Sequence, residues 1–324
     1  MADPAPTTDS YAEKNSAGHT KIHVAARYGQ LDTLPAEVLT AKYLTLKNDA
    51  GYTPLHHAAI GGHLDQVPAE VLTAANLALR SNAGFTCYHA AAAHGNLSQI
   101  PAELLTPDVF LNANDTGNTV LHEAAEHGTI DRIAPAYLTA AALAHRNVSG
   151  ETVLHVAAFN GHLDQVPAAL LTSAALREET SSGDTVIHAA AISGHLEQVP
   201  AAFLVVENLS KPSRTGFTPA HAAAETGQLG KIPREQLTAA LLTSRNDNGD
   251  TPLHAAAYEG HLDQIPPDLL TVETLATRNY DGVTVAMLAA ERGFLSQVPE
   301  AARPKAPGPL ARLLRRISGA RAPF

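Results

Sequence analysis

The 324-residue chain is 45% apolar and only 5% aromatic and contains no Trp, which is typical of a folded protein whose core is built from aliphatic side chains. Its single cysteine, Cys87, excludes an intramolecular disulfide and fits a reducing compartment. The net charge is −10, but residues 301–324 hold six basic and no acidic residues, so the body has 16 basic and 32 acidic residues, or −16, which argues against nucleic acid as a partner.

Residues 1–14 are polar and lack the apolar core that a signal peptide needs. The chain contains no run of 18 apolar residues, so the sequence predicts no membrane-spanning helix. We therefore expect a flexible N-terminal tail over residues 1–14 and a cytoplasmic protein. Secretion as an effector without a cleaved signal stays open as the alternative.

A 33-residue period begins after this tail, and residues 51–83, GYTPLHHAAIGGHLDQVPAEVLTAANLALRSNA, show its unit best. Each unit starts with a glycine that is followed two residues later by Thr: Gly18, Gly51, Gly84, Gly117, Gly150, Gly183, Gly216, Gly249 and Gly282. Histidine stands three residues after this Thr in eight units, at His23, His56, His89, His122, His155, His188, His221 and His254, and Met287 replaces it in the ninth. An Ala pair and a second glycine complete the first half of every unit. Such a period predicts a solenoid of stacked repeats.

Each recurrent residue suits one step of a turn followed by a short helix. The first glycine fits a turn with a positive φ, and the Thr fits a helix N-cap. Pro54, Pro219 and Pro252 fall at the first helical position, which tolerates proline. The second glycine predicts that the helix ends in the left-handed conformation. The first half of each unit therefore predicts a helix of roughly eight to ten residues.

The pattern G-x-T-P-L-H-x-A-A-x-x-G-H at this period resembles the ankyrin repeat over about residues 15–300. The resemblance implies a turn that projects like a β-hairpin finger, with two antiparallel helices stacked behind it. It also implies that each column histidine bonds with the capping Thr and with the backbone of the next turn. We therefore expect an all-α fold, an ankyrin-like repeat solenoid of nine repeats over residues 15–302.

The second half of each unit departs from the ankyrin pattern. Proline recurs at one column in eight units and one place later in the fourth: Pro35, Pro68, Pro101, Pro135, Pro167, Pro200, Pro233, Pro266 and Pro299. A proline inside a helix costs about 3 kcal/mol, so nine unbroken second helices are not expected. We predict helix-turn-helix units with short second-half helices: one turn before the proline, a second started by it, and a third capped by Thr40, Thr73, Thr106, Thr139, Thr172, Thr238 or Thr271.

The histidine spacing does not support a metal or catalytic role. His122 and His127 resemble the helical zinc-protease pair, but they are five residues apart, which turns them about 140° away from each other. His19 and His23 are four apart, but His19 lies in the turn before the helix. Cys87 occupies a column that holds Pro in three other units, which favours a substitution over a nucleophile. We predict no enzyme activity, no cofactor and no metal site.

Residues that vary between units are candidates for recognition, because the recurrent ones are needed for stacking. Seven of the 15 aromatic residues fall beside the turn glycine or just before the second glycine, and aromatics are enriched among interface hot spots. The candidate partner-binding residues are Tyr28, Tyr52, Ile60, Phe85, His94, His127, Phe159, Asn160, Ile192, Phe217, Tyr258, Glu259, Tyr280 and Arg292. We predict a monomer that binds one or more proteins. For any single ring, packing on its neighbours is the competing interpretation.

Residues 303–324 form a Pro-rich link followed by a segment whose apolar residues recur at helical spacing. The pattern predicts a short basic amphipathic helix with Leu310, Arg312, Leu313, Leu314, Arg315, Arg316 and Ile317 as its candidate contact residues. Such a helix can cap the solenoid, lie on an anionic membrane or dock in a groove of another protein. The sequence thus favours a non-catalytic protein–protein interaction scaffold, with an effector or adaptor recruited to an anionic membrane through this helix as the alternative.

Overall fold

The structure is a computed structural model that describes residues 8–304. The first seven residues and the predicted amphipathic helix at 310–317 lie outside the described residues. A 3-10 turn, Thr8–Tyr11, falls inside the segment predicted as a flexible tail, and the Lys21 ammonium lies 5.9 Å from the centroid of the Tyr11 ring. Residues 8–304 are otherwise helices, turns and four isolated antiparallel bridges.

The chain divides into two compact units, Met1–Val199 and Pro200–Phe324. Unit one contains α1 (Lys21–Arg27), α2 (Ala41–Leu44), α3 (Pro54–Gly61), α4 (Ala74–Leu77), α5 (Cys87–Ala93), α6 (Pro107–Phe110), α7 (Val120–His127), α8 (Ala140–Leu143), α9 (Val153–Phe159), α10 (Ser173–Leu176) and α11 (Val186–Ser193). Unit two contains α12 (Val206–Leu209), α13 (Pro219–Glu225), α14 (Ala239–Leu242), α15 (Pro252–Glu259), α16 (Val272–Leu275) and α17 (Val285–Arg292). Within each unit the odd-numbered helices pack side by side in chain order, which is the all-α repeat solenoid that the sequence predicts.

The first helix of each repeat begins and ends as the recurrent residues predict. In α3, Thr53 is the N-cap and accepts from the backbone N–H of His56, Pro54 occupies the first turn, and Gly62 closes the helix with φ +77°. The first helices are seven or eight residues long, and the four of seven residues are shorter than the predicted eight to ten. The Ala pair behind the cap is fully buried in this repeat, at Ala58 and Ala59. Because these side chains are small, the first helices of adjacent repeats can pack closely against each other.

The second half of each repeat is divided by proline, as predicted. In the second repeat a 3-10 turn, Leu64–Gln66, ends at Val67, whose backbone is extended because the ring of Pro68 disfavours the helical conformation before it. The equivalent turns are Leu31–Thr33, Leu97–Gln99, Ile130–Arg132, Leu163–Gln165, Leu196–Gln198, Leu229–Lys231, Leu262–Gln264 and Leu295–Gln297.

A second 3-10 turn follows the break in eight repeats: Ala36–Val38, Ala102–Leu104, Pro135–Tyr137, Ala168–Leu170, Ala201–Phe203, Arg234–Gln236, Pro267–Leu269 and Glu300–Ala302. The even-numbered four-residue helices come next, and the predicted Thr is the N-cap of seven of them, with Val205 in its place in the sixth repeat. Across residues 8–304, every helix is too short or too polar to cross a bilayer.

Candidate partner-binding surface

The turns between repeats form a row along one edge of each compact unit. In the fifth repeat the Asn147 N–H donates to the Glu151 carbonyl at 2.9 Å, and the Asn147 side-chain carbonyl accepts from the Glu151 N–H at 2.9 Å. Gly150 completes the turn with φ +78°. The Val148 N–H donates to the Thr116 carbonyl of the preceding turn at 3.0 Å, so consecutive turns are held in register by their backbones.

The column histidines connect each turn to the next, as the resemblance implied. The Thr119 N–H donates to Nδ1 of His122 at 3.1 Å, so Nδ1 carries no proton and the ring proton is on Nε2. Nε2–H then donates to the Glu151 carbonyl at 3.2 Å. The same bond to the next turn joins His23 to Tyr52, His56 to Phe85, His89 to Asn118, His155 to Asp184, His221 to Asp250 and His254 to Val283.

This arrangement stabilises the neutral imidazole. Burial lowers the pKa of His23, His56, His89 and His122 from 6.5 to about 4, and the backbone acceptors offset only part of that effect. Burial also lowers the pKa of His155 and His254. A charged imidazole would lose the bond from the Thr N–H, because both ring nitrogens would then carry protons. These histidines are therefore structural, neutral links between turns.

Three imidazoles meet at the start of unit one. The ring centroids of His19, His23 and His57 are 5.0–5.6 Å apart in edge-to-face contacts. Burial, and then its histidine neighbours, lower the pKa of His57 to about 3. Nδ1 of His23 is bonded to Thr20 and its Nε2 to the Tyr52 carbonyl, so this trio has no free His23 nitrogen for a metal ion.

Several of the predicted partner-binding rings pack against side chains of their own or the next repeat. Tyr52, Phe85 and Phe217 are half-buried, and their rings lie 5.3, 5.7 and 5.3 Å from the column histidine four residues later. Tyr258 is half-buried beneath Arg292, whose guanidinium lies 3.8 Å from the ring centroid. For these positions the geometry fits the competing interpretation, in which the ring supports the stack.

Other predicted residues project from the surface. Tyr28 and Tyr280 are each 69% exposed, Phe159 is 52% exposed and Ile192 is 41% exposed. The remaining candidates are the exposed His94, His127 and Glu259 and the half-buried Ile60 and Asn160. His94 and His127 stack with their centroids 6.2 Å apart, which joins the third and fourth repeats at this face.

The aromatic pattern of the turns does not single out two acidic side chains of this surface. Glu151 and Asp184 stand directly after the turn glycines of the fifth and sixth repeats, where other repeats carry Tyr52 or Phe85. Both are half-buried at the edge of a cleft that also contains Phe159 and Ile192. Their signal in the sequence is the acidic residue after the turn glycine in adjacent repeats.

Comparison with protein families agrees with the repeat geometry. A family model described as ankyrin repeats (3 copies) matches residues 88–170 and 154–233, and a model of the single ankyrin repeat matches residues 248–271. These matches cover just over half of the chain. The chain belongs to the ankyrin repeat family. No curated protein matches it. Ankyrin repeats are generally protein–protein interaction modules and are typically non-enzymatic.

A glutamine clamp between adjacent ankyrin repeats was also absent from the sequence predictions. Gln165 accepts from the Ile130 N–H at 3.1 Å and donates to the Gly128 carbonyl at 3.1 Å, so one side chain satisfies two backbone groups of the preceding repeat. Gln66, Gln99, Gln198 and Gln297 bridge their preceding repeats in the same way. Its signal was the recurrence of Gln at one column of the 33-residue period.

Chemically reactive groups are few in the part of these ankyrin repeats that the structure describes. Glu123, Glu126 and His127 place one ligand atom each within 4.8 Å of the others, but Glu126 and His127 are exposed and Oε1 of Glu123 already accepts from Asn114 and Asn118. Complete burial raises the pKa of the Cys87 thiol, which disfavours the reactive thiolate.

Proposed function

We propose that this chain is a non-catalytic scaffold that binds a partner protein on the surface formed by the turns and first helices. The observation that carries the proposal is the distribution of exposed apolar side chains. Of the nine large apolar residues that are exposed among residues 8–304, all but Leu111 and Val272 lie in a turn or a first helix or at its C-cap. Because exposed apolar groups gathered on one face favour association, this surface is the best candidate for the partner.

The test compares two sets of exposed apolar side chains. In one variant Tyr28, Phe159 and Ile192 are all changed to Ala; in the control Val272 and Leu111, outside the turns and first helices, are changed to Ala. Affinity purification with mass spectrometry should recover a protein with the wild type and the control but not with the triple variant. Equal recovery by all three proteins would contradict the proposed surface, provided that their melting temperatures agree.

The proposal includes a monomer in the cytoplasm. The acidic body supports a monomer, since repulsion between like charges opposes self-association. Light scattering of the purified full chain should give a mass close to 33.9 kDa. A mass of twice that value would contradict the monomer.

A second candidate function is recruitment to an anionic membrane through the basic C-terminal segment. The observation that favours it is the sequence alone: Leu310, Leu313, Leu314 and Ile317 recur at helical spacing, with Arg312, Arg315 and Arg316 on the other side of the predicted helix. Each basic residue near an anionic surface contributes about 1 kcal/mol. Co-sedimentation with phosphatidylserine vesicles should require residues 303–324 and weaken with salt. Equal sedimentation of the full chain and a chain ending at residue 302 would contradict it.

A further inference from the structure

A cleft opens in unit one between the fifth and sixth repeats. It lies beside the exposed Phe159 and Ile192, and its volume is about 180 Å³. Sites for small molecules usually enclose about 300–1,000 Å³, so this cleft is too small for a typical metabolite. Its volume suits a single side chain presented by another protein.

One wall of the cleft is apolar. Phe159 is the last residue of α9 and Ile192 lies near the end of α11, at equivalent columns of consecutive repeats. Their side chains are 52% and 41% exposed, so they keep apolar surface available at the cleft. The face of a Phe ring attracts a cation, and an apolar wall packs well against the methylene stem of Lys or Arg.

Two acidic residues also line the cleft. Glu151 and Asp184 stand 33 residues apart on consecutive turns, and both line the cleft. The Glu151 carboxylate accepts one hydrogen bond, from the Asn147 side-chain amide at 2.8 Å. In the described part of the chain neither carboxylate forms an ion pair, and the nearby Arg146 pairs instead with Glu178 at 2.5 Å. Among residues 8–304, therefore, no lysine or arginine pairs with either carboxylate of the cleft.

None of the described residues that line the cleft is a lysine or an arginine. The remaining lining residues are Ser149, His155, Thr180, Ser182 and Ala189. His155 is the column histidine of the fifth repeat, and both of its nitrogens are used, by Thr152 and by the Asp184 carbonyl. Burial lowers its pKa, so the imidazole stays neutral. Serine and threonine hydroxyls add hydrogen-bond acceptors that a cationic donor can use.

We propose that this cleft binds one arginine side chain of the partner protein, an inference that rests on the proposed scaffold function. The stem packs against Ile192, the guanidinium lies on the Phe159 ring, and its N–H groups donate to Glu151 and Asp184. Arginine fits better than lysine, because a planar guanidinium can stack on a ring and present several N–H donors to two separate carboxylates. A lysine ammonium is a compact point charge and cannot do both equally well.

The test uses random twelve-residue peptides displayed on phage and selected on the full-length wild-type chain. We expect peptides with one recurrent arginine to be enriched. Enriched peptides are then measured by fluorescence polarisation against the double variant Glu151→Gln/Asp184→Asn, which removes charge and keeps shape. Asp164→Asn is the matched control, since Asp164 is an exposed carboxylate of the fifth repeat outside the cleft.

Affinity should fall by about tenfold or more for the double variant and for a peptide with citrulline in place of arginine, and change less than about twofold for Asp164→Asn. Lysine in place of arginine should give an intermediate loss. Selected peptides without arginine, no enriched peptide at all, or equal affinity for the wild type and the double variant would overturn the inference. If such peptides or a captured protein still lose affinity on Phe159→Ala, the scaffold function stands and the arginine cleft alone fails.

Discussion

The imidazole of a column histidine is held neutral by its two neighbours in the backbone. The Thr119 N–H donates to Nδ1 of His122, and Nε2–H donates to the Glu151 carbonyl. His122 is therefore held as one neutral tautomer, and a proton on Nδ1 would displace the Thr119 N–H. The same reasoning applies to His23, His56 and His89, whose pKa is also about 4. Protonation therefore requires that the link between two turns be broken.

We predict that the protein loses stability as pH falls from about 7.5 to about 5. The folded pKa of these four histidines lies below the unfolded value of 6.5, so their contribution is complete above 6.5 and is lost as pH falls towards 4. The loss is on the order of 1–2 kcal/mol for each histidine at pH 5. Melting curves should show a decrease of several degrees, and His122→Gln should make the pH dependence shallower. An unchanged melting temperature would contradict the prediction.

The contribution of Glu123 to stability changes with pH in the opposite direction to that of the histidines. This carboxyl is only 2% exposed, and burial, followed by the nearby Glu126 charge, raises its pKa from 4.5 to about 7. An acid with a raised folded pKa stabilises the protein below its unfolded pKa, and that stabilisation is lost as pH rises through 7.

Glu123→Gln should therefore raise the free energy of unfolding at pH 8, by about 1–3 kcal/mol, because no buried charge forms. At pH 5 the effect should be small. Urea unfolding at both values measures it, with Glu70→Gln, at an exposed carboxylate of the second repeat, as the control. A variant that is less stable than the wild type at pH 8 would show that the charged Glu123 is favourable where it lies.

Between elements, the repeats depend on side chains that reach into the preceding repeat. Gln165→Leu would leave the Ile130 N–H and the Gly128 carbonyl without their partner, and we expect a cost of about 2–4 kcal/mol in the free energy of unfolding. Arg132, which is exposed and occupies the same column one repeat earlier, provides the control. Arg132→Leu should change stability by less than about 0.5 kcal/mol. Similar losses in urea unfolding of both variants would contradict the clamp.

The proline break was predictable because its physics is local. A proline restricts its own φ and the conformation of the residue before it, so Val67 is extended whatever surrounds it. The cap residues act within three positions for the same reason, which is why Thr53, Pro54 and Gly62 could be assigned without a structure. The sequence did not predict which type of helix each short segment forms. The segments beside the proline are 3-10 turns, whereas those after the Thr are α-helical.

Taken as a whole, the molecule carries a strongly acidic body, with 16 basic and 32 acidic residues before the C-terminal segment. We predict that association with the captured partner slows by about tenfold or more when the salt concentration rises from about 0.05 to 0.5 M, since screening weakens electrostatic steering. Dissociation should change much less. Surface plasmon resonance separates the two rates. An association rate that does not depend on salt would contradict electrostatic steering of the partner by the acidic body.

The period, the turn and cap residues, the broken second half and the family can all be predicted from the sequence, because each depends on residues within one repeat or on their exact recurrence every 33 positions. Which variable residues are accessible depends instead on how the repeats pack. Phe159 and Tyr258 occupy the same column of the period, yet Phe159 is 52% exposed whereas Tyr258 is half-buried beneath Arg292.

The same holds for the contacts made between repeats. Gln165 reaches groups 35 and 37 residues earlier, and Glu151 meets Asp184 at one cleft across a full period. Residue type alone does not predict which side chain or backbone group of the adjacent repeat a residue will contact. That choice follows from the register and spacing of the packed helices, which set burial, hydrogen-bond partners and charge environment together.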